Sequence, residues 1–135
     1  MVGAVDLDPV AQVRAIWAAY ARGGVEALRR VVEPDVEWLP LTHDRPLAGD
    51  AFWEQWAPHR HERVSATVQR YEERDGCVLA HGSLRTFREG GFVDVQPTWG
   101  YFFSEGRLVR CGCYPTREDA LRAIAEHHGG FSAAA

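Results

Sequence analysis

The sequence predicts a single α+β domain in which a curved antiparallel or mixed sheet wraps around N-terminal helices. The first observation is the length of 135 residues, which suits one domain and leaves no room for two. The second is a long run of period-two patterning, rich in β-branched and aromatic residues, over 63–114. The third is the helical patterning that precedes this run, because helices gathered before a long antiparallel sheet must pack on one of its faces.

Helical patterns dominate the N-terminal part of the chain. Apolar residues recur at helical spacing as far as Tyr20, and they give one broad apolar stripe. The predicted elements are, in order, a helix that Asp8-Pro9 opens and Gly23-Gly24 ends, a helix over 25–32, a strand over 36–39, and a helix that Asp50 opens and Pro58 stops.

Four antiparallel strands and a last helix complete the domain. Turn signals at Asp75-Gly76, Gly90-Gly91 and Glu105-Gly106 separate the strands. The predicted strands cover 63–73, 77–88, 92–103 and 107–114. A helix opened by Thr116 follows and ends at Gly129-Gly130. We therefore expect one domain over 1–135, with a core over 8–127 and a flexible tail over 129–135.

Composition and charge restrict the class of function. The net charge is −4 at pH 7, whereas nucleic-acid binding needs a clustered basic face, so we predict no nucleic-acid partner. Residues 1–7 lack the basic start and apolar stretch of a secretory signal, and no apolar run approaches the ~18 residues that cross a bilayer. An odd number of cysteines then indicates reduced thiols in a cytoplasmic protein without a membrane partner. The histidines show no metal-ligand spacing, so we expect no metal and no cofactor.

Several fragments resemble a known superfamily. They are Trp-Ala-Ala-Tyr-Ala-Arg-Gly-Gly (17–24), Glu-Pro-Asp-Val-Glu-Trp (33–38), Leu-Ala-Gly-Asp-Ala-Phe-Trp (47–53), and the stretches 99–109 and 114–121. In this order and spacing the chain resembles the NTF2-like superfamily, and its SnoaL-like branch in particular, over about 8–127. The resemblance implies a cone with an internal pocket and a homodimer. Members include isomerases, dehydratases, epoxide hydrolases, polyketide cyclases and proteins that only bind, so the fold does not decide the function.

The resemblance argues against one specific mechanism. A ketosteroid-isomerase-like member would carry a tyrosine on the first helix, an aspartate base after the first strand and a second acid on the strand of Trp99. Here these positions fall at Ile16, near Pro40 and at Trp99 itself, and all three are apolar. Tyr20, one turn further along the helix, could supply a hydroxyl, although a helix tyrosine is more often a core residue.

The strand over 77–88 carries the candidate catalytic residues. The resemblance implies that Leu79, His81, Ser83 and Arg85 face the pocket. His81 would act as general acid and base because its ordinary pKa lies near neutrality, and Arg85 would stabilise a developing oxyanion.

The opposite orientation of this strand is the competing interpretation. The apolar row Val78, Ala80, Gly82 and Leu84 would then pack against helices or a second subunit, and the polar row would be solvated.

Carboxylate partners for His81 are few. Asp94 on the neighbouring strand is the best candidate, although its parity is opposite to that of Trp99 unless Pro97 introduces a bulge. Glu37 and Asp44, near the expected pocket mouth, are weaker candidates.

Aromatic side chains are expected to form the pocket wall and to favour a flat or ring-bearing apolar ligand. The alternative is a bulky core without a ligand. The expected lining set is Trp17, Tyr20, Trp38, Trp53, Trp56, Ser83, Trp99, Tyr101, Cys111 and Cys113.

Three functional hypotheses follow. The first is a cofactor-independent lyase, isomerase or cyclase that acts on a hydrophobic carbonyl compound through His81. The second is a protein that binds such a compound without turnover. The third is a module that forms a homodimer through its sheet, with Val78, Ala80, Gly82 and Leu84 at the interface.

Overall fold

The computed structural model describes residues 8–41, 45–47, 49–56, 63–88 and 90–134. The elements are, in chain order, α1 (Pro9–Val31), β1 (Glu37–Leu39), α2 (Gly49–Trp56), β2 (Arg63–Arg74), β3 (Cys77–Arg88), β4 (Gly91–Val95), β5 (Thr98–Ser104), β6 (Arg107–Tyr114) and α3 (Arg117–Ala134). The predicted α+β class is confirmed, as is the order of helices and strands on either side of the long antiparallel region.

Helix α1 begins and bends where the sequence predicts a start and a stop. The Asp8 carboxylate accepts a hydrogen bond of 2.8 Å from the backbone N–H of Ala11, and Pro9 occupies the first turn. Gly24 has φ 67° and ψ −151°, which interrupts the helical backbone within the element. Because glycine reaches positive φ without a side-chain clash, the chain turns here into a second helical piece. The predicted boundary at Gly23-Gly24 is therefore a kink.

The sheet is mixed and has the order β1-β6-β5-β3-β2, with β4 also paired to β3. Every pairing is antiparallel except that of β1, which runs parallel to β6. Strand β3 pairs with β5 over 78–81 and with β4 over 84–88. The single strand predicted over 92–103 is therefore wrong. It is two strands, broken at Gln96-Pro97, because proline cannot donate a ladder hydrogen bond.

A bulge bends the long β2–β3 hairpin. The register shifts between Val68 and Arg70 on β2, close to Gly82 on β3. A Cβ atom at Gly82 would collide with the backbone carbonyl oxygen of Thr67. Glycine at this position lets the two backbones approach closely where the sheet curves.

Two apolar clusters lie on opposite faces of the sheet. The α1 cluster consists of Val13, Ile16, Leu28, Val32, Val36, Trp38, Trp53, Val78, Ala80, Tyr101, Phe103 and Cys111. The α3 cluster consists of Cys77, Leu79, Phe102, Tyr114, Ala120 and Ile124. Helices α1 and α2, which precede the long antiparallel region, therefore cover one face as predicted, and α3 covers the other.

Helix α3 continues beyond its predicted end. It runs to Ala134, through Gly129-Gly130, so the predicted stop at these glycines is wrong. Within the described part of the chain, no helix combines the length and the low polarity that a bilayer span requires.

Candidate functional site

The predicted aromatic lining converges on the face of the sheet that α1 covers. Trp38, Trp53, Tyr101 and Cys111 belong to the α1 cluster, and Trp17, Tyr20 and Trp99 pack against it. Cys113 lies opposite Trp99 in the β5–β6 ladder and therefore points to the same face. Ser83 does not join this set, and the side chain of Trp56 lies outside the described part of the chain. We call this set of side chains the aromatic chamber.

The rings of the aromatic chamber form two groups. In the first, Trp17 packs edge-on against Trp99, with ring centroids 4.8 Å apart, and against Tyr20 at 6.1 Å. In the second, Trp38 and Phe52 are stacked at 4.6 Å with an interplanar angle of 8°, and Trp53 meets Trp38 edge-on at 5.1 Å. Edge-on and stacked contacts of this kind are the favoured arrangements of aromatic pairs, so both groups are well packed.

Two polar atoms in the chamber have no partner. The indole N–H groups of Trp17 and Trp38 are buried and make no hydrogen bond to any described residue. A buried donor left unpaired costs about 1–3 kcal/mol, and such groups are rare in folded proteins. The two indoles therefore mark positions where an acceptor oxygen would be stabilised.

The described lining is uncharged at neutral pH. Burial raises the pKa of Tyr101 well above its ordinary value. Burial also raises the pKa of the Cys111 thiol and brings that of Cys113 to about 12. Desolvation raises the pKa of Tyr20 in the same direction. These groups therefore hold their protons and cannot act as bases near pH 7.

The polar row of β3 lies on the other face of the sheet. Val78 and Ala80 are fully buried in the α1 cluster, whereas Leu79 belongs to the α3 cluster. His81, Ser83 and Arg85 share the parity of Leu79 and so point away from the chamber. The prediction that this row faces the pocket is wrong, and the reversed orientation is the correct one.

His81 is held in a polar network beside α3. Its Nε2 atom lies 3.0 Å from Glu72 Oε1, and its Nδ1 atom lies 3.2 Å from Thr98 Oγ1. Arg117, in the first turn of α3, donates to both oxygens of Glu72 over 3.1 and 2.7 Å. Hydrogen bonds from Arg117, supported by His81 and Arg74 and opposed by desolvation, hold the pKa of Glu72 well below its usual range.

The order hydroxyl, imidazole and carboxylate in this network is the arrangement that activates a nucleophile in hydrolytic sites. Thr98 is only 3% exposed, however, and a substrate cannot reach a hydroxyl buried to this extent. The cavity of about 230 Å³ beside the β4–β5 break is lined by Leu41, Val95, Pro97 and Pro115, and Thr98 is not part of its wall. The network therefore fastens α3 to the sheet.

Arg85 and Asp94 form a separate pair at the far end of β3. They face each other across the β3–β4 ladder and make two hydrogen bonds of 2.6 Å. Their side chains are 43% and 51% exposed. This pairing lowers the pKa of Asp94, although burial contributes in the opposite direction. Arg85, rather than His81, is thus the partner of Asp94, so the predicted grouping of the three residues is wrong.

The remaining predicted positions are also accounted for. Ser83 lies 3.4 Å from the side-chain amide of Gln69. Glu37 is paired with Arg110 at 2.8 Å and lies on the face opposite to Trp38, so it does not border the chamber. Asp44 lies outside the described residues. Among the described residues, no cluster of three or more possible ligands could hold a metal ion.

Glu72 and Arg117 were not identified from the sequence. The Asp75-Gly76 turn sets the hairpin register, with Arg74 opposite Cys77 and Glu72 opposite Leu79. Counting back from this turn places Glu72 on the same face as His81, at a diagonal position. The position of Glu72 beside His81 could therefore have been predicted from the sequence. The contact from Arg117 could not, because it depends on how α3 packs.

Comparison with known proteins identifies the architecture. No family model matches the sequence, and no curated protein matches it either. An NTF2-like protein of unknown function from Burkholderia pseudomallei superposes with a TM-score of 0.65 at 14% identity, covering 84% of this chain and 95% of that one. The chain has the NTF2-like fold. The predicted cone architecture is thereby confirmed.

Two further NTF2-like neighbours carry functional descriptions. A protein proposed to be a polyketide cyclase, from Xanthomonas campestris pv. campestris, has a TM-score of 0.65 at 17% identity and covers 82% of this chain and 92% of its own. TerC, co-crystallised with polyporic acid, has a TM-score of 0.61 at 15% identity and covers 89% and 95%. At such low identity the NTF2-like fold is shared, and the function is not carried over with it.

Proposed function

We propose that this protein binds a neutral, flat, ring-bearing small molecule with an acceptor oxygen, such as a carbonyl compound, in the aromatic chamber. The observation that carries the proposal is the pair of unpartnered indole N–H groups of Trp17 and Trp38. A carbonyl oxygen would satisfy such a donor, and the ring of the ligand would pack against the neighbouring tryptophans. The NTF2-like fold, whose neighbours include TerC co-crystallised with polyporic acid, supports a small-molecule site.

The charge of the lining defines the ligand further. Arg14 and Arg29 stack over the outer rings Tyr71 and Trp53, at 4.6 and 5.9 Å from the ring centroids. The described chamber otherwise presents apolar side chains and neutral hydroxyl, thiol and indole groups. An ionised ligand would lose its hydration among these neutral groups, so the chamber favours a neutral molecule.

Binding without turnover is the form of this function that the described residues favour. Proton abstraction next to a carbonyl needs a base within hydrogen-bond reach of the substrate. The tyrosines and cysteines of the chamber keep their protons at neutral pH, and His81 lies on the opposite face. The side chains of His81, Arg85 and Asp94, which the sequence predicts as catalytic, therefore cannot reach a ligand in this chamber. The three free cysteines support the cytoplasm as the proposed location.

The test compares two ligands that differ in one oxygen. Fluorenone and fluorene have the same ring system, and only fluorenone offers an acceptor. We expect both compounds to bind in isothermal titration calorimetry, with tighter binding of fluorenone. Trp38→Phe keeps an aromatic ring and removes the N–H, and should weaken fluorenone binding by about tenfold, as the loss of one hydrogen bond implies.

The control is Tyr114→Phe, which removes a hydroxyl on the opposite face of the sheet. It should leave both affinities unchanged. If Trp38→Phe and Trp17→Phe bind the two compounds as the wild type does, the acceptor hypothesis is wrong. Deuterium uptake from heavy water at the α-carbon of an enolisable cyclic ketone, lost in His81→Ala, would show catalysis in place of binding alone.

A further inference from the structure

A cavity lies beside the aromatic chamber, at the point where β4 and β5 separate. It has a volume of about 230 Å³, and its described lining consists of Leu41, Val95, Pro97 and Pro115. Strand β3 changes partner here, from β5 at His81 to β4 at Leu84. The cavity therefore forms where one ladder ends and the next begins, because the proline at the break cannot continue the hydrogen bonding.

The register of the β3–β4 ladder places Val95 on the chamber side of the sheet. Val95 pairs with Leu84, and residues that pair directly across a ladder point to the same face. Leu84 has the same parity along β3 as Val78 and Ala80, which belong to the α1 cluster. The side chain of Val95 therefore points to the face that also carries the chamber.

Two prolines connect the cavity with the chamber. Trp99 and Cys113 pair across the β5–β6 ladder, and Pro97 and Pro115 lie two residues beyond them at the same end. Two residues of extended chain span about 7 Å, so the cavity begins where the chamber ends. A ring that contacts Trp99 is therefore within reach of the cavity through a short chain.

The wall of the cavity suits a hydrocarbon group. Its described side chains are all apolar. Neither proline has a backbone N–H, and the carbonyl of Pro97 already accepts from the N–H of Gly82 over 3.5 Å. A polar group would lose its hydration among these residues, whereas an alkyl group gains by leaving water. Since a cavity of ~150 Å³ accommodates benzene, this larger one holds a chain of about six carbons.

We propose that this cavity holds an alkyl chain of the ligand that the aromatic chamber binds. The inference rests on the proposed function and narrows the ligand class to ring-bearing carbonyl compounds with an aliphatic chain of about six carbons or fewer. The indole N–H groups bind the oxygen, the chamber rings contact the aromatic part, and Val95 and Pro97 select for the chain.

The experiment measures how affinity depends on the length of the chain. Acetophenone, butyrophenone and hexanophenone share one ring and one carbonyl and differ only in the alkyl group. In isothermal titration calorimetry on the full chain, we expect the association constant to rise about fourfold for each added methylene, the gain from removing one such group from water. Equal association constants across the series would overturn the proposal.

A variant that fills the cavity tests where the chain lies. Val95→Phe should make the association constants of hexanophenone and acetophenone equal, because the added ring occupies the space for the chain. Val109→Phe is the matched control and should keep the wild-type ratio, since Val95 and Val109 are both strand valines that are 36% exposed. A Val95→Phe variant that keeps this ratio would place the chain elsewhere and overturn the proposal.

A second substitution at this position changes polarity with little change of shape. Val95→Thr should lower the ratio of the two association constants by about fivefold, because the chain then displaces water from a hydroxyl. An unchanged ratio in this variant also counts against the site. Far-UV circular dichroism checks that the three valine variants fold.

Two further results separate this proposal from the proposed function. Trp38→Phe should weaken all three ketones by the same factor, so that the dependence on chain length remains. A wild type that prefers fluorenone to fluorene but binds the three ketones equally would overturn the alkyl site alone. A wild type that binds none of these five compounds would overturn both.

Discussion

Replacing Glu72 by glutamine should loosen the attachment of α3 to the sheet. Glu72 is 18% exposed and accepts from His81, Arg74 and Arg117, and Arg117 belongs to α3. A hydrogen bond to a charged group contributes about 1.5–3 kcal/mol. Glutamine keeps the shape and one acceptor oxygen, so we expect a loss of about 2 kcal/mol, the lower part of that range. For a domain of this size the melting temperature should fall by about 8 °C.

The same variant has a defined pH dependence. The pKa of Glu72 is lower in the folded state than in the unfolded state, first because of the hydrogen bonds from Arg117. Its stabilisation is therefore fully present above the unfolded pKa near ~4.3, and it is lost progressively as the pH falls below that value. The difference in melting temperature between the wild type and Glu72→Gln should be constant from about pH 7 to about pH 5 and shrink towards about pH 3.

Differential scanning calorimetry of both proteins across this pH range provides the measurement. Glu73→Gln is the control, because Glu73 is an exposed neighbour on the opposite face of β2. Its melting temperature should stay within ~2 °C of the wild type, as for most surface substitutions. Equal melting temperatures for the two variants, or a difference between wild type and Glu72→Gln that is as large at pH 3 as at pH 7, would refute the role assigned to the network.

Three further predictions concern local features. Gly82→Ala should lower the urea midpoint by an amount equivalent to about 3 kcal/mol, because its Cβ collides with the Thr67 carbonyl oxygen; an unchanged midpoint would contradict the close approach. Asp8→Ala should cost about 1 kcal/mol by the same measurement, through loss of the cap on α1, and Asp35→Ala should not. Cys113, whose pKa burial raises to about 12, should react with iodoacetamide at pH 8 at least ~100-fold more slowly in the folded than in the urea-unfolded protein, as intact mass spectrometry can follow.

The sequence predicted local features of the fold well because they depend on neighbouring residues. Asp8-Pro9 and Gly24 act through their own backbone preferences, and their positions match the start and the kink of α1. The Asp75-Gly76 and Glu105-Gly106 turns likewise bound the strands where they were expected. Resemblance to the NTF2-like superfamily then supplied the arrangement of these parts in space.

The face assignment of β3 failed for a physical reason. Alternation places residues on two sides of a strand, but polarity identifies the inner side only when the other side is solvated. Here Cys77, Val78, Leu79 and Ala80 are all fully buried, because α1 covers one face and α3 the other. The first half of β3 therefore gives no sign of which side holds the chamber. The polar residues further along mark the end of the α3 contact.

The parallel pairing of β1 with β6 has a consequence for folding during synthesis on the ribosome. Glu37 and its partner Arg110 are 73 residues apart in the chain, and β6 also supplies the ladder that fixes Trp38. At ~5–20 residues per second, a ribosome takes about 4–15 s to make the intervening stretch. During that interval the indoles of Trp38 and Trp53 have no sheet to cover them, and non-local contacts of this kind are slow to form. The segment that brings two tryptophans into the chamber thus leaves the ribosome early and is covered by the sheet late.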